Sequence, residues 1–216
     1  MKQTAFTLSA FLFFAVACNT ASDTKTDPVV TKEETKKEET VKDVSPPMDS
    51  AAMMKAWMDF ATPGDMHKWM AKGDGKWTGE VMQWMDPAAP PTKSIATMTN
   101  KTVMGGLYQT GTYSGTMMGR PFEGMATMGY DNGKKMFVST WLDNMGSGII
   151  YMTGSWNDAA KKLIMSGKQT DPMTGKDTDI RQVTSFPTDN TQKLEMYGTG
   201  MDGNEMKFME GTFIRK

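Results

Sequence analysis

The chain of 216 residues holds one histidine and one cysteine, so imidazole and thiol chemistry each rest on a single side chain. His67 follows Asp65 by two residues in "PGDMHKWM". A His–Asp pair orients the base of hydrolytic triads. Here no Ser or Cys nucleophile lies nearby, and no histidine follows position 67. The pair reads as a capping arrangement, and no catalytic residue is assigned. "DPMTGKDTD" gathers Asp171, Asp177 and Asp179 around a glycine turn, the kind of oxygen-rich run that calcium loops use. The spacing is not that of an EF-hand and no bidentate Glu closes it, so a hairpin loop is expected. Glu195, Glu205 and Glu210 could supply paired carboxylates, but their spacing does not bring them together. No phosphate-cradling glycine loop is present. No metal site and no cofactor are expected.

The methionines are the anomaly, 24 in all. Met is flexible and polarisable, which suits adaptable apolar surfaces, and its thioether is a soft ligand for Cu(I). Three readings stay open: Met replacing Leu in the core, a Met-lined pocket for an apolar ligand, and a thioether copper site. Met53-Met54, Met117-Met118 and the one-turn spacing of Met66 and Met70 make the last testable, and the scarcity of His and Cys weakens it.

Cys18 is informative by position. Met1-Lys2 is followed by the apolar run "AFTLSAFLFFAVA", residues 5–17, shorter than the roughly 20 residues that span a bilayer. A charged start, a short apolar run and small residues describe a secretory signal over 1–17. Ala15 and Ala17 before Cys18 resemble a bacterial lipobox, looser than the strict pattern because Leu is missing at −3. Ordinary signal cleavage is the alternative. The lipobox resemblance implies a lipid on Cys18 and a domain anchored to a membrane of the bacterial cell envelope, periplasmic or at the cell surface. A single cysteine allows no disulfide within the chain. A formal net charge of −1 with no basic patch argues against a nucleic-acid partner. The oligomeric state is not set by these features.

Residues 18–47, with "TKEETKKEET" at their centre, lack aromatics and read as a disordered tether. A short helical lead-in is expected over 48–74. Asp49/Ser50 is a cap candidate, and Met54, Trp57 and Met58 share one face. "TPGD" breaks the run, and Asp65 can cap a second short helix carrying Met66, Trp69 and Met70. From residue 75 to 216 the texture turns to β-formers punctuated by turn signals such as "DPAAPP", "MMGRP", "DNGKK", "NDAAKK" and "MDGNE". "DNG" and "DGN" are tight-hairpin signals. Ten strands follow, near 76–86, 92–103, 107–117, 122–130, 135–142, 149–156, 163–170, 178–186, 192–199 and 206–215. No helical period interrupts them, so an antiparallel meander is expected, closed on itself to remove its edges.

Alternation favours a barrel over a packed sandwich. Trp77, Gly79, Val81, Gln83 and Met85 share one face of the first strand, and Thr78, Glu80, Met82 and Trp84 share the other. A sandwich core would show a cleaner Val/Ile/Leu face. A barrel with a partly polar interior tolerates Met, Thr, Gly and aromatics.

"HKWMAKGDGKWTGEV", "GYDNGKKMFVSTWLDNMGSGIIYMTG" and "TDPMTGK" resemble a bacterial family, domain of unknown function 1579, over roughly residues 65–216. That family is similar to the calycin barrels, which include lipocalins, fatty-acid-binding proteins and nitrobindins. The resemblance implies an all-β fold, a ten-stranded antiparallel up-and-down barrel of calycin or lipocalin type with short N-terminal helices. It also implies a Gly-x-Trp on the first strand, here Gly75-Lys76-Trp77, with a late Arg across the Trp. Arg215 is the better partner and Arg181 the other. Trp77 then plugs the closed end, and Trp84 lies nearer the mouth. Nitrobindin-type haem binding needs a late histidine that this chain lacks.

The expected activity is binding of a small hydrophobic or amphipathic ligand in the barrel, with membrane attachment through the lipid anchor. Met82, Trp84, Tyr113, Met128, Trp141, Tyr151 and Arg181 are the expected lining residues, and Trp77 and Arg215 the structural pair. A ligand-free interaction or stress module of the envelope, and an enzyme acting on a lipid-like substrate, are the alternatives.

Overall fold

A computed structural model describes residues 49–86, 88–200 and 202–216. The signal segment 1–17, Cys18 and the tether 18–47 lie outside the described residues. Two helices, α1 (Ser50–Phe60) and α2 (Asp65–Ala71), precede ten strands. These are β1 (Gly75–Gln83), β2 (Thr92–Val103), β3 (Tyr108–Met117), β4 (Arg120–Asp131) and β5 (Met136–Asp143). β6 (Ile150–Asn157), β7 (Lys162–Thr170), β8 (Asp177–Thr188), β9 (Thr191–Thr199) and β10 (Glu205–Arg215) follow.

The strands close into a barrel in chain order, with β1 paired to both β2 and β10 and every pairing antiparallel. Trp77 stands opposite Arg215 on one side and Met98 on the other. Closure settles the choice against two stacked sheets and leaves no free edge to pair with another chain.

Pro63 and Gly64 separate the helices, because Pro lacks the N–H that would continue α1. Asp49 caps α1, its carboxylate accepting the Ala51 N–H at 3.2 Å. The expected cap at Asp65 is not formed. Gly64 is the N-cap of α2, and its N–H donates to His67 Nδ1 at 3.0 Å. Asp65 sits in the first turn and pairs with Lys68 instead.

"DNGKK" does not make a two-residue hairpin either. The Asp131 carboxylate accepts the Gly133 and Lys134 N–H groups, and Lys135 takes the left-handed conformation at φ 56°. Asn132 is thereby freed to donate to the carbonyls of Phe60 and Thr62, latching the end of α1 to the barrel.

Glycines inside the strands let the barrel coil tightly. A Cβ on Gly154 would stand 2.0 Å from the Ile164 carbonyl oxygen, and one on Gly167 2.2 Å from that of Tyr151. Any side chain there would push β6 and β7 apart.

Two apolar clusters fill the end of the barrel under α2. One joins Met70, Phe137, Met152, Leu163, Met165 and Ile180. The other joins Trp77, Val81, Met98 and Phe213. The outer face carries cross-strand ion pairs such as Lys93–Glu80, Lys168–Asp179 and Arg181–Glu205, which suits a solvated surface and adds little stability.

Candidate ligand cavity

Strand parity decides what faces inward. Trp77, Val81 and Gln83 of β1 share the inner face with Ala96, Met98 and Asn100 of β2 and with Ile180, Gln182 and Thr184 of β8. The barrel encloses a cavity of about 570 Å³, within the usual range of small-molecule sites. Ten of the described methionines line it, together with aromatic rings and six side-chain amides. Met85 and Met118, both strongly exposed, mark its mouth at the end away from α2.

The floor is built where α2 meets the first strands. Trp69 and Met70 of α2 close the bottom, and Trp69 packs against Phe137, Trp156 and Phe186. Gln109 Nε2 donates to the Met70 carbonyl and to Asp74 Oδ1, both at 2.8 Å. Asp74 Oδ2 in turn accepts the Thr102 N–H at 3.0 Å. Asn100 Nδ2 donates to the Gly73 carbonyl at 3.1 Å. The "KGDG" stretch is thus pinned by three separate side-chain or backbone donors.

Trp77 lies at this closed end, 1 % exposed, and its Nε1 also donates to the Gly73 carbonyl. The Arg215 guanidinium lies 4.2 Å from the ring centroid, a favourable cation–π distance. Arg215 also donates to the carbonyls of Lys72, Asp74 and Asp189. One side chain therefore ties the last strand to the turn before the first.

His67 is 2 % exposed and packs edge-on against Tyr130. Desolvation holds its pKa below the ordinary imidazole value, with a smaller opposing effect from the Tyr130 backbone. Its Nδ1 accepts a hydrogen bond, so the neutral ring carries its proton on Nε2.

At the mouth, Trp141 Nε1 donates to Asp143 Oδ2 at 2.7 Å. Asp143 Oδ1 accepts the Met145 N–H at 2.8 Å. The Trp141 ring stacks near Phe122 and meets the edge of Tyr113 at 4.9 Å. Gly124 makes room for it: a Cβ there would stand 2.6 Å from the indole ring. Burial pushes the Tyr113 phenol up to about 12, so it stays protonated.

Of the expected lining residues, Trp84, Tyr113, Met128 and Trp141 line the cavity. Met82, Tyr151 and Arg181 do not, and parity is the reason. Trp77 and Val81 point inward, so Met82 between Val81 and Gln83 points out. Tyr151 lies between the inward Ile150 and Met152 and is 54 % exposed. Arg181 lies between Ile180 and Gln182, and its guanidinium pairs with Glu205 and covers the Tyr197 ring on the outer face. Trp84 reaches the rim although it shares Met82's parity, because β1 ends at Gln83 and strict alternation ends with it. A bulge between Lys207 and Met209 turns both Phe208 and Met209 inward.

Sequence reasoning missed the amides Gln83, Asn100, Gln109, Gln169, Gln182 and Gln192, and missed Asp143. Gln83 was within reach, since it shares a face with Trp77. The others gave no local signal.

The comparisons with known proteins agree with this architecture. A family model described as "Protein of unknown function (DUF1579)" matches residues 62–215. The crystal structure of Rv2717c from M. tuberculosis is similar, with a TM-score of 0.55 and 10 % sequence identity, covering 72 % of this chain and 99 % of that one. At that identity the likeness is one of fold. The comparison with curated proteins returned no match.

Proposed function

We propose that this chain, which belongs to the DUF1579 family of proteins of unknown function, binds a small hydrophobic or amphipathic molecule inside its barrel while a lipid on Cys18 holds it to a bacterial membrane. The observation that carries the reading is the cavity of about 570 Å³. A fold that needed only stability would fill that space, since native interiors pack to crystal-like density. The lining of thioethers, rings and amides suits holding a molecule rather than turning it over. Asp143, a carboxylate in the lining, is already engaged by Trp141 and Met145. The sole imidazole, His67, belongs to α2 and packs against Tyr130.

Native mass spectrometry of the chain from residue 18 onward, carrying Cys18→Ser, tests this. The expected spectrum shows a co-purifying small molecule, or one that binds from an envelope lipid extract. A bare mass under both conditions would support the ligand-free interaction module instead.

A further inference from the structure

We infer that the cavity selects an uncharged apolar molecule carrying a hydroxyl or N–H donor at its inner end, and rejects carboxylate amphiphiles of the same length. The inference rests on the binding reading above and deepens it.

The first observation is charge. Among the described lining residues only Asp143 is ionisable to a full charge at neutral pH, and none is Lys, Arg or His. Asp143 sits at the mouth, where its oxygens already accept from Trp141 Nε1 and the Met145 N–H, so it gives an incoming anion no partner. A carboxylate entering such a cavity finds no cation to pair with. Moving an unpaired carboxylate out of water costs several kcal/mol, and the group takes up a proton instead. A neutral headgroup avoids that cost.

The second observation is which polar atoms lack partners. Gln192 Oε1 is buried and lining, and it has no hydrogen-bond partner among the described residues. Asn100 and Gln109 direct their N–H donors at the Gly73 and Met70 carbonyls. Their amide oxygens accept no hydrogen bond among the described residues. The Asn100 amide and the Tyr113 ring occupy the space beside Gly111. A Cβ there would stand 2.6 Å from Asn100 Oδ1 and 3.2 Å from the Tyr113 hydroxyl. The inner half of the cavity therefore holds one buried acceptor without a partner, Gln192 Oε1, and buried acceptors are rarely left unpaired in native proteins. A guest that brings a donor satisfies it.

The test is a charge series at constant chain length. The chain from residue 18 with Cys18→Ser is loaded with the neutral fluorophore N-phenyl-1-naphthylamine at pH 8. It is then titrated with 1-dodecanol, dodecanoate or dodecyltrimethylammonium below their aggregation limits. Dodecanol is expected to displace the fluorophore at a concentration at least about tenfold lower than either ion, a gap of about 1.4 kcal/mol or more. Gln192→Met is expected to weaken dodecanol about fivefold, the loss of one ordinary hydrogen bond. Dodecanoate or the cation competing as well as the alcohol overturns the inference and leaves the binding reading standing. Wild-type dodecanol affinity in a folded Gln192→Met chain overturns the donor assignment. If neither the fluorophore nor any of the three enters, the binding reading itself fails. The charge series needs no substitution in the cavity, so it holds even if the Gln192 variant does not fold.

Discussion

His67 shows how much one buried side chain can report. It is the chain's single histidine, and its ring sits between α2 and Tyr130 with little contact with solvent. Protonation would place a charge in that site and remove the acceptor that Nδ1 offers to the Gly64 N–H. The folded-state pKa is lowered, so the unfolded chain binds the proton more readily. The stabilisation from the neutral ring is therefore complete above the unfolded value of about 6.5. It is lost as pH falls from there through the folded value. Urea melts between pH 7.5 and 5 should show stability declining below about pH 6.5. His67→Phe should flatten that part of the curve; an unchanged slope would mean other groups cause it. Trp141 has a comparable dependence on one neighbour, since its ring occupies the space that Gly124 leaves free.

The two helices differ sharply in what they hold. α1 buries no residue, and Met54, Trp57 and Met58 are each more than 60 % exposed. Asn132 latches only its C-terminal end. α2 buries His67 and Met70 and closes the cavity floor. Burial of apolar area is the main stabilising contribution, so the contrast is measurable by calorimetry. Starting the chain at Thr62 should lower Tm by less than about 4 °C, the equivalent of roughly 1 kcal/mol at this size. Trp77→Ala removes the ring under Arg215 and should cost about 3–5 kcal/mol. That corresponds to a fall of about 6–20 °C. Similar falls for both would show that α1 carries stability through contacts other than burial. The strands are held by pairing with both neighbours around the ring, and the positions of their turns follow local chemistry. Proline, glycine and Asp/Asn clusters interrupt the β-formers at each turn, which is why the strand borders read from sequence lie close to those observed. Turn type was less legible. In "DNGKK" the β4–β5 hairpin turns through a longer loop, held by the Asp131 side chain and a left-handed Lys135, in place of the two-residue turn that Asn-Gly suggests.

As a whole the molecule is a barrel with a stoppered end and an open end. The stopper joins α2, the "KGDG" stretch and Arg215, residues more than 140 positions apart in the chain. The mouth collects the far ends of the strands, with Trp84, Met118 and Trp141 in its lining. Attachment to a membrane belongs to this level, since it concerns where the barrel works rather than how it folds. In cells expressing the full chain, a palmitate label is expected on the wild-type protein and in the membrane fraction. Cys18→Ser should lose the label and appear in the soluble fraction. A labelled Cys18→Ser chain, or an unlabelled wild type, would remove the anchor from the proposal.

The order of elements, the break between the helices and the alternation within each strand were determined by the sequence alone. Each depends on backbone preferences and turn residues that act over a few positions. Alternation separates two faces without saying which one turns inward. Closure decided that, and it set Met82, Tyr151 and Arg181 outside while bringing Gln83, Asn100, Gln109 and Gln192 together within. Those amides come from four different strands, and no local pattern relates them. Only the tertiary structure could make them neighbours, because a barrel's interior is defined by the meeting of its first and last strands.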